Sequence, residues 1–113
     1  MEIITGDRGT GKTTELLKRA AETDAYIICT TMHRCGDLFE MAHRLGIKIK
    51  YPLSVNECIN GGLHSRYING EIVGQPVVID DLEDVLRECM VGWKSEIVAV
   101  DVDTATITNM NKD

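Results

Sequence analysis

At 113 residues, with 43% hydrophobic and 27% charged side chains, the chain has the size and make-up of one globular domain spanning residues 1–113 and able to bury a core. A formal charge of −6 and a pI near 5.0 argue against a sequence-independent nucleic-acid binder, which is usually basic. No stretch resembles a secretory leader or is long and apolar enough to span a membrane, so no membrane partner and a cytoplasmic location are expected.

In chain order, Ile3 and Ile4 read as the end of a buried strand, and residues 13–21 read as a helix. Residues 24–31 carry a compact apolar run, the second strand. Leu38, Met41, Ala42 and Leu45 recur at helical spacing, which predicts a helix over 34–45 stopped by Gly46. Residues 47–75 then interrupt the alternation. Here 47–51 looks like a short strand, Ser54 is placed to cap a helix running to about Asn60, and Asn69-Gly70 signals a two-residue hairpin.

Residues 75–81 form the strongest strand signal, short, β-branched and continuously apolar, as in a parallel strand buried on both faces. A helix over 82–91 and a second buried-type strand over 96–101 follow, and the tight turn Asp101-Val102-Asp103 joins that strand to an alternating edge strand over 104–109. Strands alternating with helices predict an α/β domain: a mostly parallel sheet of about five strands, helices on both faces, and a small insertion at 47–75.

Between the first strand and the first helix stands Gly6-Asp7-Arg8-Gly9-Thr10-Gly11-Lys12-Thr13, a complete G-x-x-x-x-G-K-[ST] phosphate-binding loop. Glycines let the backbone curl so that successive N–H groups converge on an anion at the helix N-terminus. Gly6 through Thr14 are therefore the candidate cradle for the phosphates of a nucleoside triphosphate. Lys12 would reach the β- and γ-phosphates, and Thr13 would offer its hydroxyl to Mg²⁺. Val77-Val78-Ile79-Asp80 is the apolar strand ending in a carboxylate that accompanies such a loop, with Asp80 facing the Mg²⁺ water shell. The alternative for Asp80 is a helix cap.

On these two motifs the chain resembles the P-loop NTPases, and more narrowly their RecA-like and AAA+-like branch. The likeness covers 2–31 and 76–101 and leaves 47–75 uncovered. It implies ATP and Mg²⁺ as ligands, and a strand at 96–101 lying between those at 2–5 and 76–81. It also implies a water-polarising carboxylate after Asp80. Asp81 stands there in place of the branch's usual glutamate, with Glu83 as a second candidate. A polar sensor at the end of the intervening strand would be Asp101, for which a solvated turn residue is the alternative.

An arginine supplied by a neighbouring subunit completes many such sites. Arg34, Arg44, Arg66 and Arg87 are the candidates, and Arg66 is the first to test. The expected activity is Mg²⁺-dependent ATP hydrolysis stimulated by self-assembly or a protein partner. A small-molecule kinase and a non-catalytic nucleotide-gated module are the alternatives, and no arginine-rich lid is visible to favour the kinase. Lys48, Lys50, Tyr51, Arg66 and Tyr67 could form a modest basic-aromatic surface for single-stranded nucleic acid. Cys29, Cys35, Cys58 and Cys89 form no C-x-x-C pair and read as reduced thiols; a zinc site from His33, Cys35, Cys58 and His64 matches no standard spacing.

Overall fold

The computed structural model describes residues 1–111 except 62, 64, 65 and 91–95, and leaves the side chains of 66–68 and 71–73 undescribed. In order the elements are β1 (Glu2–Thr5), α1 (Lys12–Thr23), β2 (Tyr26–Cys29), α2 (Met32–Arg44), β3 (Leu53–Ser54), α3 (Val55–Ile59), β4 (Arg66–Ile68), β5 (Glu71–Val73), β6 (Val77–Ile79), α4 (Leu82–Cys89) and β7 (Thr106–Asn109).

The fold is α/β with small parallel sheets. β3, β2 and β6 form one sheet with β2 in the centre, and β1 pairs with β7 in another. β2 decides where the core lies, because successive side chains on a strand point to opposite faces. Ile27 and Cys29, both fully buried, join Leu17 and Ala20 of α1 and Cys35, Leu38 and Ala42 of α2. Ile28 points the other way and packs with Val55 of α3 and Val85 of α4. Helices thus cover both faces of this sheet.

Several local expectations are met for the expected reasons. α2 forms where expected, starting two residues earlier at Met32 because the Thr31 side chain caps it, accepting from the Arg34 N–H at 3.1 Å. The chain leaves α2 through Gly46 at φ 70°. Ser54 and Glu57 make a reciprocal capping box that starts α3. Asn69 and Gly70, both at positive φ, turn the β4–β5 hairpin, as the left-handed geometry of such turns requires.

Four expectations are corrected. The five parallel strands do not share one sheet, because residues 96–101 lie outside any ladder; Val98 is 89% exposed. β6 is consequently not buried on both faces: Val77 and Ile79 remain 41% and 40% exposed, since among the described residues β6 is hydrogen-bonded only to β2. The edge strand expected over 104–109 is β7, but it runs parallel to β1, from Glu2↔Thr106 to Thr5↔Asn109, instead of folding back on 96–101. The short strand expected at 47–51 forms instead at Leu53–Ser54, beside β2.

Charged groups tie β1 to its surroundings. Glu2 accepts from Arg19 of α1 at 2.5 Å and from the Thr108 hydroxyl at 2.9 Å, and the Arg19 bond holds the Glu2 carboxyl below its usual pKa. α1 packs against β1, β2 and β6, and so touches both parallel sheets.

Candidate functional site

The loop between β1 and α1 is built on glycine geometry. Gly6, Gly9 and Gly11 have φ of 151°, 83° and 89°, values that other residues rarely adopt. At Gly6 space is also lacking: an added Cβ would come within 2.6 Å of the Thr10 hydroxyl and 3.0 Å of Met110 Cβ. At Gly9 the same test meets nothing within 4 Å, so only the backbone angle demands glycine there.

A turn over residues 7–10 is closed by the Thr10 N–H and hydroxyl, both donating to the Asp7 carbonyl at 3.3 and 2.7 Å. Lys12 lies half-buried with its ammonium folded back onto the Gly6 carbonyl. The Asp7 N–H donates to Asn111 Oδ1 at 2.8 Å, and the Met110 N–H donates to the Thr5 carbonyl at 2.8 Å, extending the β1–β7 ladder up to the loop. Met110 and Asn111 were not among the sequence candidates. Only their place just after a strand parallel to β1 marks them, and the expected fold-back of that strand concealed it.

α1 begins at Lys12 without a side-chain cap, and its first internal acceptor is used by Glu15, bonded to the Gly11 carbonyl at 3.0 Å. The N–H groups of Lys12, Thr13 and Thr14 have no acceptor among the described residues. Unsatisfied N–H groups and the positive end of the helix dipole, next to a lysine, suit an anion. The residues present fit a polyphosphate, and Thr13 lies in this first turn, half-buried. Asp7, Arg8 and Gly9 are exposed on the outer side of the loop.

The carboxylates occupy the end of β6. Asp80 is 7% exposed, and both its oxygens are engaged by Arg34 of α2: Nε donates to Oδ2 at 2.8 Å and Nη2 to Oδ1 at 3.2 Å. This two-point pair raises the Arg34 pKa. Asp80 is therefore not the cap of the following helix. That role falls to Asp81, whose Oδ1 accepts from the Asp84 N–H at 3.3 Å, at φ 56° and ψ 81°. A left-handed aspartate beside a buried carboxylate is the local strain that functional sites often carry. The Asp81 carboxylate also raises the pKa of Asp84.

Glu83 is exposed and pairs with Arg87 at 3.2 Å, one turn along α4. Among the described residues, no hydrogen bond or ion pair joins Asp80, Asp81 or Glu83 to Lys12 or Thr13; α1, which begins at Lys12, packs on β6, the strand that leads to Asp80. Of the arginine candidates, Arg34 and Arg87 are held by carboxylates of their own chain, and Arg44 is exposed. The Arg66 side chain lies outside the described residues, as does the Tyr67 side chain. Asp101 is exposed and ends no strand.

The basic-aromatic surface is largely engaged within the chain. Lys50 donates to the Asp24 carbonyl at 2.9 Å and sits over the Tyr26 ring at 4.6 Å, and Tyr51 packs on Phe39 with ring centroids 5.0 Å apart. An open groove of about 540 Å³ lies here, between the last turn of α1 and residues 46–50, at the end of α1 away from Lys12. Among the described residues no three of His, Cys, Asp and Glu cluster as metal ligands; His64 of the zinc alternative lies outside them.

Cys29 and Cys35 are buried with their sulfurs 3.0 Å apart, and burial raises both thiol pKa values. A thiol that keeps its proton in the folded state to a higher pH than in the unfolded chain stabilises the fold below the ordinary thiol pKa of about 8.5 and ceases to as pH rises above it. Stability measured by urea denaturation should therefore fall above about pH 8.5. Replacing both cysteines by alanine should flatten that decline, and a flat wild-type curve would contradict the buried-thiol assignment.

The chain matches no protein-family model, and comparisons with curated proteins and with solved structures find no relative.

Proposed function

We propose that the chain is a P-loop protein that binds ATP with Mg²⁺ on residues 6–14 and hydrolyses it with the help of a neighbouring subunit or another partner. The observation that carries this reading is the first turn of α1: three N–H groups without acceptors and Lys12 folded over a loop of positive-φ glycines. Lys12 would exchange the Gly6 carbonyl for a phosphate oxygen, a stronger, charge-assisted bond. Thr13 and Asp80 would hold the Mg²⁺, which when bound offsets the charge of the β- and γ-phosphates.

The reading includes a finer architecture, in which residues 96–101 pair between β1 and β6 and so join the β1–β7 and β3–β2–β6 sheets into one. Its support is that both strands are hydrogen-bonded on one side only and that both pack under α1. Ile97-Val98-Ala99-Val100 is an apolar run with Val98 and Val100 largely exposed, as expected of a strand lacking its sheet. Amide exchange that slows across 97–100 on adding MgATP would support the insertion.

Phosphoryl transfer needs water excluded around the transferring group, and Asp7, Arg8 and Gly9 of the loop are exposed. Specific activity in a phosphate-release assay should therefore rise with protein concentration or on adding a partner. Substantial turnover, unchanged across a hundredfold dilution and without a partner, would show that the isolated chain holds its whole catalytic site. A nucleotide-gated module without turnover is the second reading, favoured because Asp81 is committed to capping α4.

A further inference from the structure

We propose that Arg34 is a positioning residue that holds Asp80 in the nucleotide-free protein and must release it when Mg²⁺ arrives with the triphosphate, so that Arg34 sets how strongly binding depends on the metal. This rests on the nucleotide reading above and adds a regulator to the same site.

The argument starts from charge. Asp80 is nearly buried, and both of its oxygens are already paired with one guanidinium. A dication taking up the same carboxylate, directly or through a water, would stand within a few ångströms of that guanidinium in a poorly solvated place. Two cations in competition for one carboxylate cannot both be well placed. The pairing therefore opposes metal binding until the side chain moves.

The surroundings decide what moves. Arg34 is in the first turn of α2, a turn without acidic residues, where the helix dipole disfavours a cation; Asp80 offsets that cost. Its backbone is fixed, with the N–H on the Thr31 hydroxyl at 3.1 Å and the adjacent Cys35 packed against Cys29. The side chain, about one-third exposed, has solvent to swing into. Release is thus a rotation of the arginine side chain, with α2 and β6 staying in place. Any triphosphate oxygen near the end of β6 would be a new partner for the freed guanidinium.

The test compares the ATP affinity of the full chain by calorimetry in EDTA and in Mg²⁺. The gain from Mg²⁺ should grow about tenfold in Arg34→Gln, within the range usual for coupled sites, and less in Arg34→Lys, which keeps the charge and loses the fork. An unchanged or smaller gain in Arg34→Gln overturns the proposal, because a merely structural arginine would lower stability without raising metal dependence.

Should Arg34→Gln fail to fold, the wild-type protein still decides. Its Arg34 Nε–H resonance, protected by Asp80, should lose protection on adding MgATP and keep it with ATP in EDTA. A resonance that stays protected at MgATP saturation overturns the proposal and leaves the nucleotide reading intact. A wild-type chain that binds no triphosphate in either buffer defeats both.

Discussion

Lys12→Ala is expected to lose ATP binding in calorimetry while the thermal unfolding of the chain stays close to that of the wild type. Among the described residues the lysine's one polar contact is with the Gly6 carbonyl, so folding loses a single part-buried hydrogen bond, about 1 kcal/mol. Binding loses more. Lys12 is the side-chain cation that the motif aims at the β- and γ-phosphates, and a hydrogen bond between charged groups is worth roughly twice a neutral one. The N–H groups of Lys12, Thr13 and Thr14 would remain, and on their own they would hold inorganic phosphate weakly. A folded Lys12→Ala protein with undiminished ATP affinity would remove the basis for assigning the loop.

The second large effect is expected at Asp80. Asp80→Asn should weaken Mg²⁺-dependent ATP binding by at least tenfold and also lower stability, because it leaves the Arg34 guanidinium facing a neutral amide. Breaking a buried ion pair by removing one partner typically costs about 3–5 kcal/mol; with Arg34 one-third exposed, the lower end or less applies here. Asp81→Asn should behave differently. Asparagine also caps helices well and tolerates the left-handed backbone, so stability and affinity should hold while any hydrolysis slows. Equal losses of affinity in both variants would mean that the metal-facing carboxylate has been misassigned.

Local chemistry was the most legible part of this sequence. The glycine-rich loop, the Ser54 cap, the Asn69-Gly70 hairpin and the compact apolar run of β2 all follow from interactions within a few residues. Pairings over long separations were harder to read. Nothing near Thr106 says that its partner is Glu2, and the turn-like Asp101-Val102-Asp103 suggested a fold-back instead. Arg34 was legible as an available arginine, but not as the partner of a carboxylate 46 positions away. The run 97–100 has the composition of a buried strand yet stands outside the ladders; strand composition reflects packing surroundings as much as backbone preference, so composition alone did not fix its place.

The Asp7–Asn111 hydrogen bond spans 104 positions, and the β1–β7 ladder that leads to it pairs the beginning of the described chain with its end. During synthesis the phosphate loop is made well before the strand that steadies it, since Asp7 and Asn111 lie 104 positions apart. α1, β2 and α2 can bury Leu17, Ile27 and Leu38 against one another well before that. A growing chain would hold a packed centre and an unsupported loop, and the loop would acquire its support only as residues 106–111 clear the ribosome. Contacts of such long range form late and slowly in folding. Nascent chains arrested before Thr106 should therefore resist proteolysis at α2 while failing to retain ATP.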